Sequence, residues 1–300
     1  MSKPENKRVA ALGFFDGVHL GHAALLCRVL SISEKTGLTP SVITFDIHPQ
    51  SQITSENIKL INSLEDKLGL IERNFGMSGL NDVICMEFTE EIASMPWDEF
   101  IDRLVTEYDV RHFVVGSNFR FGRGAQGNSK LLEEKCLDSG LTCDIISDVA
   151  YDNIVCSSTY IRGLLQSGNI ELANTFLGHK HVLTDVVRSG QHFGRTIDAP
   201  TINMHFADDV LVPAFGVYAV KVYIGDNKVY NGVTNIGVRP TVDDSGKVTA
   251  ETHIFDWSET LYDSKVRLEF CKYLRPEKKF KSVDELKEQI KKDCLNAKNY

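Results

Sequence analysis

Two histidines three residues apart, set among glycines, are the most chemically pointed feature of the chain: Gly13-Phe14-Phe15-Asp16-Gly17-Val18-His19-Leu20-Gly21-His22. The string begins where an apolar run ends and stops where a helical pattern starts. A turn of that kind lets backbone approach a ligand closely, and the helix N-terminus behind it offers free N–H groups and partial positive charge to an anion. His19 and His22 can aim at the same phosphates and donate hydrogen bonds that strengthen as charge builds on phosphorus. The pair could instead ligate a metal or sit idle on the surface, but a tight first-row metal site wants more ligands than the neighbouring sequence supplies. The expected chemistry is phosphate binding.

Other residues have a plainer reading beside the chemical one. Ser158 and Thr159 sit where helix N-caps sit, and Arg162, one turn on, would otherwise be a solvated charge. Asn118 follows an apolar run and suits a turn; Phe119 and Phe121 suit a core as well as they suit stacking on a ring. His48-Pro49 is a loop signal by default.

The elements that must present these groups change character along the chain. Up to about residue 180, short apolar runs at 8–13, 41–45, 82–88, 112–116 and 142–147 alternate with helical spacing at 23–34, 64–75, 96–108 and 131–139. Ser63 with Asp66 resembles a capping box at the start of the second helix. Alternation of this kind requires crossover connections and predicts a parallel sheet covered by helices. Two more helices, near 159–166 and 170–177, would close this half.

From Thr184 on, strand-like runs at 216–224, 228–235, 249–255 and 264–270 are separated by turn signals, which predicts an antiparallel sheet or barrel. A last helix opens at Ser282. The boundary is expected near residues 181–184, giving domains 1–182 and 183–300.

Composition narrows the function. A net charge of -8 over 300 residues argues against a general nucleic-acid or anionic-membrane binder, which needs a large positive field. The polar first residues lack the shape of a signal peptide, and no apolar run is long enough to span a bilayer. Seven scattered cysteines form no close pairs and fit reduced thiols. A cytoplasmic protein is the expectation.

The glycine–histidine string resembles the His-x-Gly-His motif of the nucleotidylyltransferase superfamily, in the Phe-Asp-Gly-x-His form of bacterial FAD synthetases. Three further segments agree with that family: Thr44-Phe45-Asp46-Ile47-His48-Pro49, Val115-Gly116-Ser117-Asn118-Phe119-Arg120-Phe121-Gly122, and Ser157-Ser158-Thr159-Tyr160-Ile161-Arg162. The resemblance implies that Gly13, Phe15, Asp16, Gly17, His19, His22, Ser158, Thr159 and Arg162 bind ATP, with His19, His22 and Arg162 catalytic. It places His48, Pro49, Asn118 and Phe121 on the flavin side. Phe14 stands where the family commonly has asparagine.

The second half resembles the riboflavin kinases. Gly194-Arg195-Thr196-Ile197-Asp198-Ala199-Pro200-Thr201-Ile202-Asn203 is similar to their loop and Pro-Thr-Ala-Asn motif. Segments around Gly216, Asn235, Glu251, Tyr262 and Arg275 follow in the family's order. The resemblance implies that Gly194, Thr201 and Asn203 bind ATP, that Thr201 and Asn203 also hold magnesium, that Glu251 is the general base, and that Arg275 lies on the flavin side. Three departures stand out: Asp198 and Ala199 where the family has glycine and a bulky residue, and Ile202 where it has alanine.

The implied fold is an α/β Rossmann-like nucleotidylyltransferase domain, with helices on both faces of a parallel sheet, followed by a small antiparallel β-barrel riboflavin kinase domain with a C-terminal helix. The implied activity is phosphorylation of riboflavin to FMN and adenylylation of FMN to FAD, with ATP and Mg2+. Two alternatives are open at this level: a FAD synthetase whose kinase half is impaired by the three departures, or a flavin-binding regulator without turnover. Riboflavin, FMN and ATP are the expected partners, with no nucleic acid or membrane; the sequence carries no sign of the oligomeric state.

Overall fold

The computed structural model describes residues 7–49, 58–188, 201–225, 228–238 and 248–300. They fall into two compact units, Met1–Ile58 with Lys67–Ser157, and Lys59–Asp66 with Ser158–Tyr300.

In the first unit, β1 (Arg8–Leu12) leads through the glycine–histidine turn into α1 (Leu20–Thr36), which returns along β2 (Thr39–Phe45). Then follow α2 (Leu64–Phe75), β3 (Asp82–Met86), the short α3 (Glu90–Ser94), α4 (Trp97–Tyr108) and β4 (Val110–Gly116). A small antiparallel pair, β5 (Arg120–Phe121) and β6 (Gly127–Asn128), precedes α5 (Ser129–Asp138), β7 (Thr142–Ile146) and the hairpin of β8 (Ala150–Tyr151) and β9 (Ile154–Val155).

The main sheet has the order β3-β2-β1-β4-β7, parallel throughout. Strand alternation divides its core between two faces. Ala10, Leu12, Phe113 and Val115 pack with Phe100, Ile101 and Leu104 of α4 and Leu132 of α5. Val9, Ala11 and Val114 take the opposite parity and are wholly buried, and α1 packs along β1, β2 and β4. Burial on both faces is why these strands read as continuous apolar runs. The chain leaves β1 toward β2 on one side and reaches β4 on the other, so the strand order reverses between β1 and β4. In an open α/β sheet that crevice, at the carboxyl ends of the strands, is where ligands bind.

The second unit contains α6 (Ser158–Gln166), α7 (Ile170–Leu177), β10 (His181–Val186), β11 (Thr201–His205), β12 (Gly216–Ile224), β13 (Lys228–Val238), β14 (Val248–Ile254), β15 (Lys265–Arg275) and α8 (Val283–Ala297). Its six strands are antiparallel in the order β10-β15-β12-β13-β14-β11. The sheet curls until its two edges meet at a bridge, where the Arg188 N–H donates to the Asn203 carbonyl at 3.0 Å. The C-terminal helix α8 covers one face: Ala297 and Cys294 pack with Val217, Ala219, Val233 and Phe255.

Both expected architectures are present, and the strands of the second unit run further than their sequence pattern suggests. β13 extends to Val238 and β15 to Arg275, while β10 and β11 add two strands to the four anticipated. Ser63 does cap α2, accepting from the Asp66 N–H at 3.1 Å. The reciprocal half of the capping box is diverted: the buried Asp66 carboxylate accepts from the Thr184 N–H at 3.1 Å and the Thr184 hydroxyl at 2.5 Å.

Candidate active sites

In the first unit the turn after β1 is tightly wound. Phe15, Gly17 and Val18 all have left-handed backbone, with φ of 59°, 80° and 42°. For glycine that is free; for Phe15, and above all for the β-branched Val18, it is strained and must be held in place by its surroundings. Phe15, Asp16, Val18 and His19 are all buried, so the turn is part of the core rather than a loose loop.

His19 caps α1: its Nδ1 accepts from the His22 N–H at 3.4 Å. The two imidazoles stack with centroids 3.6 Å apart at 16°. Gly21 makes that stack possible, since a Cβ there would lie 3.0 Å from the His19 ring. The Phe15 ring meets His22 edge-on at 5.2 Å. Burial, then the neighbouring His19 and the Lys67 charge, pull the His22 pKa well below its usual value. His22 is therefore a neutral imidazole at pH 7, and its Nδ1 is buried without a hydrogen-bond partner.

The loops that follow β2 and β4 open at the same carboxyl edge of the sheet. After β2, Asp46 Oδ1 accepts from the N–H groups of Ile47 and Phe88 at 2.8 and 2.9 Å, fixing the start of the loop that carries His48 and Pro49. His48 meets the Phe14 ring edge-on at 4.6 Å. After β4, Asn118 is exposed, with its Oδ1 3.3 Å from where a Cβ on Gly116 would stand. The structure thus gathers Gly13, Phe15, Asp16, Gly17, His19, His22, His48, Pro49 and Asn118 along one edge of one sheet. Phe121 is buried in the aromatic cluster beneath it, against Trp97, Phe100 and Phe119. Ser158, Thr159 and Arg162 open α6, with Arg162 Nη2 donating to Thr159 Oγ1 at 3.3 Å; that helix clusters with the second unit.

In the second unit, register assembles the site. Asn203 of β11 lies opposite Glu251 of β14, which lies opposite Asn235 of β13. Directly opposed residues share a face, with Cβ atoms about 5 Å apart, so these three side chains form one row. Thr201, two residues from Asn203, shares that face, which is also the face α8 covers further along β12 and β13. Asn203 is buried, and Asn235 Nδ2 donates to Glu277 Oε1 at 3.3 Å.

Ile202 has the opposite parity and pairs with Thr252 on the other face, away from Thr201 and Asn203. Arg275, at the end of β15, holds the C-terminal helix. Its Nε lies 3.0 Å from both carboxylate oxygens of the buried Asp293, and its Nη2 donates to Oδ2 at 2.7 Å. Gly194, Asp198 and Ala199 lie outside the described residues.

The residue that sequence reasoning missed in the first unit is Lys67, buried beside the glycine turn. Its signal is a lysine at the i position of an i, i+3, i+4 stripe otherwise made of Leu70 and Ile71, the inward face of α2. In the second unit the missed pair is Asn235 with Glu277.

A glycine turn at the switch point of a parallel sheet, joined in one chain to a curled sheet carrying a Thr/Asn/Glu row, defines a two-domain phosphate-handling transferase. The family model described as FAD synthetase matches residues 1–160, and the one described as riboflavin kinase matches residues 177–300. The bifunctional riboflavin kinase/FMN adenylyltransferase of Bacillus subtilis is 36% identical over 304 residues, covering 100% of this chain and 94% of that protein. Proteins of the same name from Pseudomonas fluorescens and Escherichia coli K12 are 33% and 34% identical, each covering 99% of this chain and 94% of their own length. A crystal structure titled as a macrolide-efflux protein from Streptococcus pneumoniae superposes with a TM-score of 0.87 at 27% identity, over 100% of this chain and 96% of that one. Among the described residues no helix is long and apolar enough to cross a membrane. The chain belongs to the bifunctional riboflavin kinase/FMN adenylyltransferase family. Both halves match, so the reading with two activities stands over a synthetase with an impaired kinase or a regulator without turnover.

Proposed function

We propose that the chain makes FAD from riboflavin in two ATP-dependent steps, with the kinase in residues 183–300 and the adenylyltransferase in residues 1–182. The observation that carries the reading is the stacked His19–His22 pair on a buried glycine turn beside the β1/β4 crevice, in a chain whose second half matches the riboflavin kinases.

In the kinase half, Glu251 accepts the proton of the flavin's terminal ribityl hydroxyl as that oxygen attacks the γ-phosphorus of ATP, and ADP leaves. Thr201 and Asn203, with Gly194, hold the nucleotide phosphates, and Arg275 braces the flavin side through its grip on α8. Positioning and charge neutralisation supply most of the rate in phosphoryl transfer. Magnesium suits this half: a hydroxyl and an amide oxygen on one strand face are hard donors, and a cation that keeps most of its waters needs few protein ligands. Among the described residues no cluster of His, Cys, Asp or Glu offers a denser cage. Bound with ATP, magnesium would neutralise phosphate charge.

In the adenylyltransferase half, an FMN phosphate oxygen attacks the α-phosphorus of a second ATP. The new P–O–P bond forms as pyrophosphate departs, and the nucleophile arrives already ionised, so no covalent enzyme intermediate is required. His19, His22 and Arg162 stabilise the charge that develops on phosphorus and leaving group, supported by Gly13, Phe15, Asp16, Gly17, Ser158 and Thr159. His48, Pro49, Asn118 and Phe121 define the flavin side. We assign the protein to the cytoplasm, with small-molecule partners and, at a net charge of -8, no nucleic-acid or membrane surface among them.

The test is a chromatographic product assay with riboflavin, ATP and magnesium, run beside one with FMN in place of riboflavin. Wild type should give FMN and FAD from the first and FAD from the second. Glu251→Gln should lose the kinase step by about 10²-fold or more and keep FAD formation from FMN; His22→Gln should do the reverse. Wild type that turns over neither flavin would refute the reading.

A further inference from the structure

Lys67 is the one lysine among the described residues that is buried, and its ammonium is fully engaged. Its Nζ donates to the Phe14 carbonyl at 3.1 Å, the Thr44 hydroxyl at 3.2 Å and the Phe45 carbonyl at 2.7 Å. An ammonium has three donors, so none is left for a substrate. The Thr44 hydroxyl closes the set by donating to the same Phe14 carbonyl at 3.0 Å. The Phe14 ring lies between the two sides: Lys67 Nζ is 3.9 Å from its centroid and His48 meets it edge-on.

The acceptors belong to different loops of the site. Phe14 opens the strained phosphate turn, and Phe45 ends β2, immediately before the loop with His48 and Pro49. A turn holding Phe15 and Val18 in left-handed backbone persists only if its surroundings fix it, and the Lys67 bond to the Phe14 carbonyl sits next to that strain. The titratable groups around the ammonium are Asp16 on the turn, Asp46 after β2, Cys85 on β3 and His22 on α1. Burial lowers the Lys67 pKa to about 8, against the opposing pull of Cys85, Asp16 and Asp46.

We infer that Lys67 is a positioning residue for adenylyl transfer: its ammonium ties the phosphate turn at Phe14 to the flavin-side loop at Phe45 and so sets the spacing at which FMN and ATP meet. Touching neither substrate, it acts through the two carbonyls it holds. The inference rests on the adenylyltransferase reading of the first unit.

The experiment uses the full-length protein and follows FAD formation from FMN, with riboflavin phosphorylation by the same sample as the control. Lys67→Met should lower kcat for FAD formation about 10²-fold, the scale set by an ångström of misplacement, with the KM for ATP within a few-fold and the kinase rate within two-fold. The wild-type adenylylation rate should also fall as pH rises through about 8, the value at which Lys67 loses its proton. Lys67→Arg, which stays charged, should lack that alkaline limb. A Lys67→Met protein with native Trp97 fluorescence and a kcat within three-fold of wild type overturns the inference. Should Lys67→Met fail to fold, the pH profiles decide: no limb in wild type, or the same limb in Lys67→Arg, overturns it. Wild type that makes no FAD from FMN would sink the adenylyltransferase reading itself, a result distinct from any of these.

Discussion

His181 should make the kinase half sensitive to mild acid. It opens β10, is wholly buried, and packs beside Phe270 with ring centroids 5.4 Å apart. Its backbone N–H is satisfied by Asn174 Oδ1 at 2.8 Å, but neither ring nitrogen has a hydrogen-bond partner. Burial, aided by His179, lowers its pKa from 6.5 to about 3. The folded pKa therefore lies below the unfolded one. Above pH 6.5 both states are neutral and nothing is lost; below it the unfolded chain takes up a proton that the folded chain refuses, and stability falls until about pH 3. The loss should be about 1 kcal/mol at pH 5.5 and about 3 kcal/mol at pH 4.5. His181→Leu removes the titration and the two unpaired nitrogens at similar volume, so it should match or exceed wild type at pH 7.5 and pull ahead by those amounts in acid. Only Trp97 and Trp257 are present. Trp257 packs on Tyr230 in the second unit, so urea unfolding followed by tryptophan fluorescence in a Trp97→Phe background reports on the kinase half. A wild-type-to-variant difference that stays constant from pH 7.5 to 4.5 would refute the reasoning.

Two further outcomes are expected. Gly21→Ala places a methyl group 3.0 Å from the His19 ring; it should break the histidine stack and slow FAD formation from FMN by about 10-fold to 10²-fold, with riboflavin phosphorylation unchanged. Parallel steady-state assays of the two steps check it, and equal losses in both would count against it. Ile202→Ala trims a departure from the riboflavin kinase motif on the face away from Thr201 and Asn203; it should change the kinase kcat by less than about two-fold, because the side chain meets no substrate-facing group. A large gain in kcat would show that strand parity is not what makes this departure harmless.

The parallel sheet and the buried glycine turn were legible because their signals are local. Apolar runs alternating with helical spacing dictate crossovers, and glycines with His19 and His22 between a strand and a helix mark a candidate anion site without reference to the rest of the chain. Glu251 was different: on its own it is a half-exposed strand carboxylate, and only register with Asn203 and Asn235 gives it a row to act in. Lys67 escaped because its three acceptors lie more than twenty residues away, at Phe14, Thr44 and Phe45. A lysine in an apolar stripe was the available hint. Asp66 misled in a smaller way, since spacing alone offered it to the Ser63 backbone while Thr184, 118 residues on, took its carboxylate. The short helix α3 has too few residues for periodicity to declare it.

The bridge that closes the curled sheet has a consequence for how the kinase half breathes. β11 is laddered to β14 along its length, but on its other side, among the described residues, no ladder runs: the Arg188 N–H donates to the Asn203 carbonyl, the His205 N–H donates to Asp185 Oδ2 at 2.8 Å, and the Arg188 guanidinium meets the His205 ring. A strand stitched along a single margin opens at a lower free energy than the β12–β13–β15 centre, and its amide protons exchange with solvent sooner. The residues assigned to the nucleotide thus ride on a strand laddered along one side only. Filling the site would act as the missing seam, trading conformational freedom in β11 for grip on the phosphates.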